Sequence, residues 1–139
     1  MLEKTIKRSL LATAEVFFPE NESGAPDYKK TDLVENCWQW MKKMPFEQRI
    51  MIYALYICTE FAFPLLIPAL GRLSNLSIQK RERLMHRLMK SKIGPLKFLA
   101  DTLKTIQNMI FLCHPSAIEY CGIYKKVAYP EDNFYIPLH

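Results

Sequence analysis

Few residues in this chain have the types and spacing to do chemistry: three histidines, four cysteines and one carboxylate inside a long apolar run. A Ser-His-Asp or Cys-His site needs a base beside its nucleophile, and the candidate bases are His86, His114 and His139. His114 directly follows Cys113, but adjacent helical residues point in different directions; it reads as a helix cap or packing residue. Glu82 and His86 are four apart, not the Glu-x-x-His pair of a di-iron bundle. Cys113, His114 and Cys121 lack a fourth zinc ligand at the usual spacing. With no C-x-x-C pair, Cys37, Cys58, Cys113 and Cys121 are expected to be free, buried thiols in a reducing compartment. Glu60 is a candidate general acid, although the plainer expectation is a hydrogen-bonded residue at a helix end. Four glycines leave little room for a phosphate-cradling loop. The residues therefore predict no catalytic, cofactor-binding or metal-binding group, and no enzyme in this chain by itself.

The clearest charged feature is the cluster Lys80, Arg81, Arg83, Arg87, Lys90 and Lys92, in a chain of net charge +5. Such a run is a solvated helix face, a protein-docking face or an electrostatic footprint for nucleic acid. No Gly-linked helix-turn-helix spacing favours the last.

The elements that carry these residues follow from periodicity. Half of the 139 residues are hydrophobic, enough for one domain that buries roughly 65–70% of its unfolded surface. Leu2, Ile6, Leu10, Ala14 and Phe17 form one helical stripe, ended by Pro19. Residues 20–30 are rich in turn formers and make a loop. Asp32 with Glu35 resembles a capping box for a second helix, with Leu33, Cys37, Trp40, Met41 and Met44 inward and Trp38 off the stripe. Phe46 to Phe63 makes a third helix. From Ile50 to Leu70, 17 of 21 residues are apolar and only Glu60 is charged. That length approaches the about 20 residues of a bilayer span, but Glu60, Pro64 and Pro68 oppose spanning. A central helix buried all round is expected instead. A kinked or short helix then runs from Pro64 to near Gly71.

Ser77 is placed to cap a fourth helix, with Leu84, Met85, Leu88 and Met89 inward and the basic residues outward. Gly94-Pro95 opens the longest helix, whose inner stripe is Leu96, Leu99, Leu103, Ile106, Ile110 and Cys113. Phe98 and Met109 widen that stripe, and Lys97, Asp101, Lys104 and Gln107 lie opposite. Pro115 starts a short helix that Gly122 ends. The tail from Ile123, with Tyr124, Tyr129, Phe134 and Tyr135, has no helical period and is expected to be an extended aromatic arm. The expected architecture is all-α: a compact bundle of five to six helices over residues 1–122, followed by the tail over 123–139.

The order of these segments is similar to a known family. LLATAEVFFPE, MPFEQRIMIYAL, the run RLSNLSIQKRERLMHRLMKSKIGPLKFLADTLKTI and the closing CHPSAIEYCGI are the matching pieces. They resemble the small-subunit family typified by the third subunit of gluconate 2-dehydrogenase, and the helical region fused ahead of some long-chain alcohol oxidases. The resemblance covers residues 8–123. It implies a non-catalytic accessory subunit that binds, stabilises or matures a large FAD-dependent oxidoreductase of the glucose–methanol–choline type. The FAD would belong to that large subunit, with a cytochrome or other electron acceptor a further expected member of the complex. Arg81, Arg83, Arg87 and Lys90, with Tyr124, Tyr129, Phe134 and Tyr135, are the expected contact residues. Two departures stand out. Lys7-Arg8 is only a faint twin-arginine echo, so a cytoplasmic location is expected unless a partner carries the chain out. Lys80 stands where the family often has an acid. The rival readings are a small membrane-associated protein using residues 50–70 and, third, a basic nucleic-acid binder.

Overall fold

The chain folds as a helical bundle in a computed structural model that describes residues 1–67 and 71–128, with side chains to Gly122. Among these residues there are six α-helices and no strand: α1 (Leu2–Phe17), α2 (Leu33–Lys43), α3 (Phe46–Phe61), α4 (Ile78–Met89), α5 (Gly94–Leu112) and α6 (Pro115–Ala128). Two short 3-10 turns, Phe63–Leu66 and Leu73–Asn75, link α3 to α4.

Proline and its restrictions set several of the boundaries. Met44 precedes Pro45 and is extended, at φ −72° and ψ 153°, because the ring disfavours the helical region for its predecessor. Pro45 then offers its carbonyl to the Arg49 N–H at 3.0 Å and α3 begins. Pro115 opens α6 behind His114, whose carbonyl accepts from Ala117 and Ile118 at 3.0 and 3.1 Å. The His114 ring adds to this, since Nδ1 accepts from the Ser116 N–H at 3.2 Å. His114 is thus the expected cap.

Two other caps are corrected. Asp32 sits in the left-handed region at φ 46° and makes no side-chain bond to the helix end. The side chain that organises this approach is Asp27, whose Oδ1 accepts from the Lys29 and Lys30 N–H groups at 2.9 Å each. Glu35, the other half of the expected box, instead holds Lys7 of α1 at 2.8 Å. Ser77 precedes α4 as expected, but its hydroxyl makes no capping bond either. Gly122 does not end α6, which continues to Ala128; a glycine inside a helix costs only about 1 kcal/mol. The start of the expected extended arm is therefore helical, and residues 129–139 lie outside the described residues.

The largest correction concerns which helix is central. α3 is not buried all round: Leu55, Tyr56, Thr59 and Glu60 face inward, while Ile50, Met51 and Phe61 are exposed. α1 is the hub, packing on α2, α3, α4 and the Leu73–Asn75 turn. It buries Ile6, Ser9, Leu10, Ala12, Thr13 and Ala14. Leu33, Cys37 and Met41 of α2, Leu84, Met85 and Leu88 of α4, and Ala100 and Leu103 of α5 complete the core. Two aromatic pairs lock its margins: Phe18 stacks on Phe111 at 4.2 Å between ring centres, and Trp38 on Tyr53 at 5.5 Å. Trp38, expected at an edge, is buried by this stack.

Leu103 is fully buried and Met51 is 72% exposed. Leu103→Ala is expected to lower unfolding stability by about 2–5 kcal/mol, and Met51→Ser to change it by no more than about 0.5 kcal/mol, both read from urea unfolding curves.

Candidate functional site

The residues with chemical potential do not converge. His86 is exposed on α4, and His114 is occupied in the α6 cap. Glu60 is buried, and its carboxylate accepts from both the hydroxyl and the N–H of Ser74. It thereby caps the Leu73–Asn75 turn, the structural role expected for it. No group of three or more His, Cys, Asp or Glu side chains among the described residues is placed to hold a metal. The expectation of four buried thiols is corrected: only Cys37 is buried, and Cys58, Cys113 and Cys121 are exposed. Exposure follows from position, since Cys58 lies on the outer side of α3 and Cys113 on the last residue beyond α5.

A polar strip does cross the core. Gln107, expected on the outer face of α5, is fully buried and its amide nitrogen donates to Thr13 Oγ1. Thr13 in turn donates to the carbonyls of Ser9 and Leu10, each at 3.0 Å. Tyr56 is buried in the core as well, and burial, with Cys37 adding a smaller effect, pushes its phenol well above the ordinary range. Burial alone pushes the Cys37 thiol up to about 12. A thiol held neutral in this way is a poor nucleophile.

The basic helix divides into two sets. Arg81 turns inward: it donates to the Leu76 carbonyl at 3.1 Å, to the Ala12 carbonyl at 3.0 Å, and to the Glu15 carboxylate. Its side chain is 12% exposed, so it ties α4 to α1 and is withdrawn from the expected contact surface. Arg83, Arg87 and Lys90 are exposed as expected. Arg87 also reaches the Leu66 carbonyl at 3.4 Å. Tyr124 falls within α6, and Tyr129, Phe134 and Tyr135 lie outside the described residues.

Two uncovered apolar faces were missed in the sequence. On α5, Phe98 is 69%, Met109 44% and Leu112 56% exposed. With Thr102 and Thr105 they recur at three- and four-residue steps along one side of the helix. This is a second stripe, not a widening of the inner one, and that spacing was the available signal. Ile118 and Tyr120 of α6 are also exposed, at 58% and 47%, but two residues apart they stand on opposite sides of that helix. On α3 the outer face runs from Ile50 and Met51 to Phe61, then to Leu65 and Leu66 in the following turn. Contiguous apolar surface of this kind marks interaction sites. By contrast, an open depression of about 570 Å³ is lined by Leu11, Glu15, Tyr28, Lys29, Asp32 and Val34. Its mixed, salt-linked walls assemble no reactive pair.

Compared with known proteins, the chain matches no family model, no curated protein and no solved structure.

Removing the Arg81 guanidinium strands the carbonyls of Ala12 and Leu76 and the Glu15 carboxylate. Arg81→Met is expected to cost about 1.5–3 kcal/mol of stability and Arg83→Gln no more than about 0.5 kcal/mol, by denaturant titration. Alkali provides an independent check. With Cys37 raised from 9.0 to about 12, the unfolded chain loses this proton first, so stability falls as pH rises through that window. In Cys37→Ala the unfolding midpoint is expected to fall less steeply between those pH values, the remaining slope coming from Tyr56, Tyr28, Lys7 and Lys29, which are raised as well.

Proposed function

We propose that this chain is a non-catalytic accessory subunit that docks on a larger protein, and that the larger protein is an FAD-dependent oxidoreductase of the glucose–methanol–choline type. The observation that carries the docking part is the exposed stripe Phe98, Met109 and Leu112 on α5. Aromatic and methionine side chains of this kind are enriched at protein interfaces: aromatics bring large apolar area with few rotatable bonds to freeze, and methionine a flexible, polarisable surface that adapts to its partner. The identity of the partner rests on the resemblance of residues 8–123 to the small subunits of such enzymes. Flavin and catalytic base then belong to the partner. The scattered positions of His86, His114 and Glu60 accord with that division of labour.

Arg83, Arg87 and Lys90 are exposed and remain available as expected contact residues. Arg81 is withdrawn from the basic face, which also reduces the case for nucleic acid as the partner.

A tagged chain purified from its native cells is expected to retain a yellow subunit with a flavin absorption spectrum. Phe98→Asp combined with Met109→Asp should release that subunit while leaving the helical circular dichroism unchanged. Recovery of the wild-type chain without any flavin-containing subunit, under conditions where it is folded, removes the proposal.

A further inference from the structure

The second uncovered face has different chemistry at its border. Phe61, Leu65 and Leu66 stand where α3 gives way to the Phe63–Leu66 turn, and they are 41%, 68% and 41% exposed. Two arginines are held against them. The Arg72 guanidinium lies 5.1 Å from the centre of the Phe61 ring, and Arg87 donates to the Leu66 carbonyl. Arg83, one turn earlier on α4, is exposed beside Arg87. Glu60 is buried and occupied by Ser74, so it does not neutralise this border; the exposed Glu82 beside Arg83 offsets part of the charge on α4 and leaves Arg72 and Arg87 as the principal cations. At the opposite end of α3 the exposed acid Glu47 interrupts the surface, which confines the combination to the C-terminal tip.

Projecting apolar side chains ringed by arginines match the layering of an anionic bilayer surface. Hydrocarbon accepts the apolar groups a few ångströms below a plane of phosphate oxygens, and arginine pairs with those oxygens. Such binding needs a few apolar side chains and a basic border, with no fitted pocket. No helix of the described residues is long and apolar enough to cross a membrane, so this is contact with one leaflet. We infer that the Phe61–Leu65–Leu66 tip, with Arg72, Arg83 and Arg87, is a peripheral docking site for a membrane surface rich in anionic phospholipid. The site is separate from the α5 stripe and does not depend on the nature of the subunit that covers it.

Flotation of the full chain with phosphatidylcholine vesicles, with and without phosphatidylserine, tests this. Binding is expected only to vesicles containing phosphatidylserine and should weaken as salt rises. Leu65→Ser should reduce partitioning by about tenfold or more, and Arg72→Gln or Arg87→Gln by about fivefold each. Phe98→Ser, on the other face, should bind vesicles as the wild type does. Circular dichroism of each variant separates lost binding from lost fold, and the two arginine variants keep the test open if Leu65→Ser fails to fold. The inference is overturned by no flotation, by equal flotation with phosphatidylcholine alone, or by folded Leu65→Ser and Arg87→Gln chains that bind normally. Concentration-dependent dimers abolished by Leu65→Ser, with no vesicle binding, also overturn it and give the tip to a second copy. Failure here leaves retention of a flavin-containing subunit untouched, and the reverse holds equally.

Discussion

The bundle depends on the small side chains of α1. Ser9, Ala12 and Thr13 are all but inaccessible to solvent, and such residues let neighbouring helices approach closely. Thr13 satisfies its hydroxyl within the helix by donating to carbonyls of its own preceding turn, whereas the buried Ser9 hydroxyl makes no hydrogen bond. The Thr13 hydroxyl then accepts from the Gln107 amide nitrogen, which brings a polar side chain of α5 into the interior, although the Gln107 amide oxygen is left without a partner. Arg81 exploits the same stretch, reaching across from α4 to the Ala12 carbonyl. A larger residue at any of these positions would push apart several helices at once.

A narrow hub makes a small core, and that has a consequence for the other helices. α3 and α5 carry more apolar surface than a core built around α1 can absorb. α3 packs on α1 and α2, and α5 packs on α2 and α4; each therefore turns only one side inward. The outer sides keep Ile50, Met51 and Phe61 on α3 and Phe98, Met109 and Leu112 on α5. The exposed apolar faces are thus a packing consequence of where the small residues fall, and they sit on helices whose inner sides are already fixed.

The same logic explains what could be read from the sequence. Helix positions were legible because proline and the 3.6-residue period act locally: Pro45, Pro95 and Pro115 mark three helix starts, and the inward sets Leu84, Met85 and Leu88 on α4 and Leu103 and Ile106 on α5 are buried as their spacing predicts. The central helix was not legible. Hydrophobicity points to α3, the most apolar run, whereas centrality follows from close approach, which favours the modest Ser9, Ala12 and Thr13. Cap chemistry was half legible. Asp32 and Ser77 stand at the right places, yet the backbone at Asp32 turns left-handed and Asp27 takes over the loop's orphan N–H groups. On α4 the charge pattern located a basic face but could not separate Arg81 from Arg83. That difference is made by Glu15 and the Ala12 carbonyl, far away in sequence.

Withdrawal of Arg81 also bears on how the two outer faces differ. With it committed to α1, the cations left on α4 include Arg83, Arg87 and Lys90, and Arg87 leans toward the turn that follows α3. The apolar tip there is consequently bordered by positive charge, while the α5 stripe is interrupted by the neutral Thr102 and Thr105. A border of like charge favours an anionic surface and repels a basic one; a threonine-spaced stripe carries no such preference and selects by shape and area. One fold can in this way present two surfaces with different selection rules, and the distinction is set by Arg72 and Arg87, which stand against one apolar face and not the other.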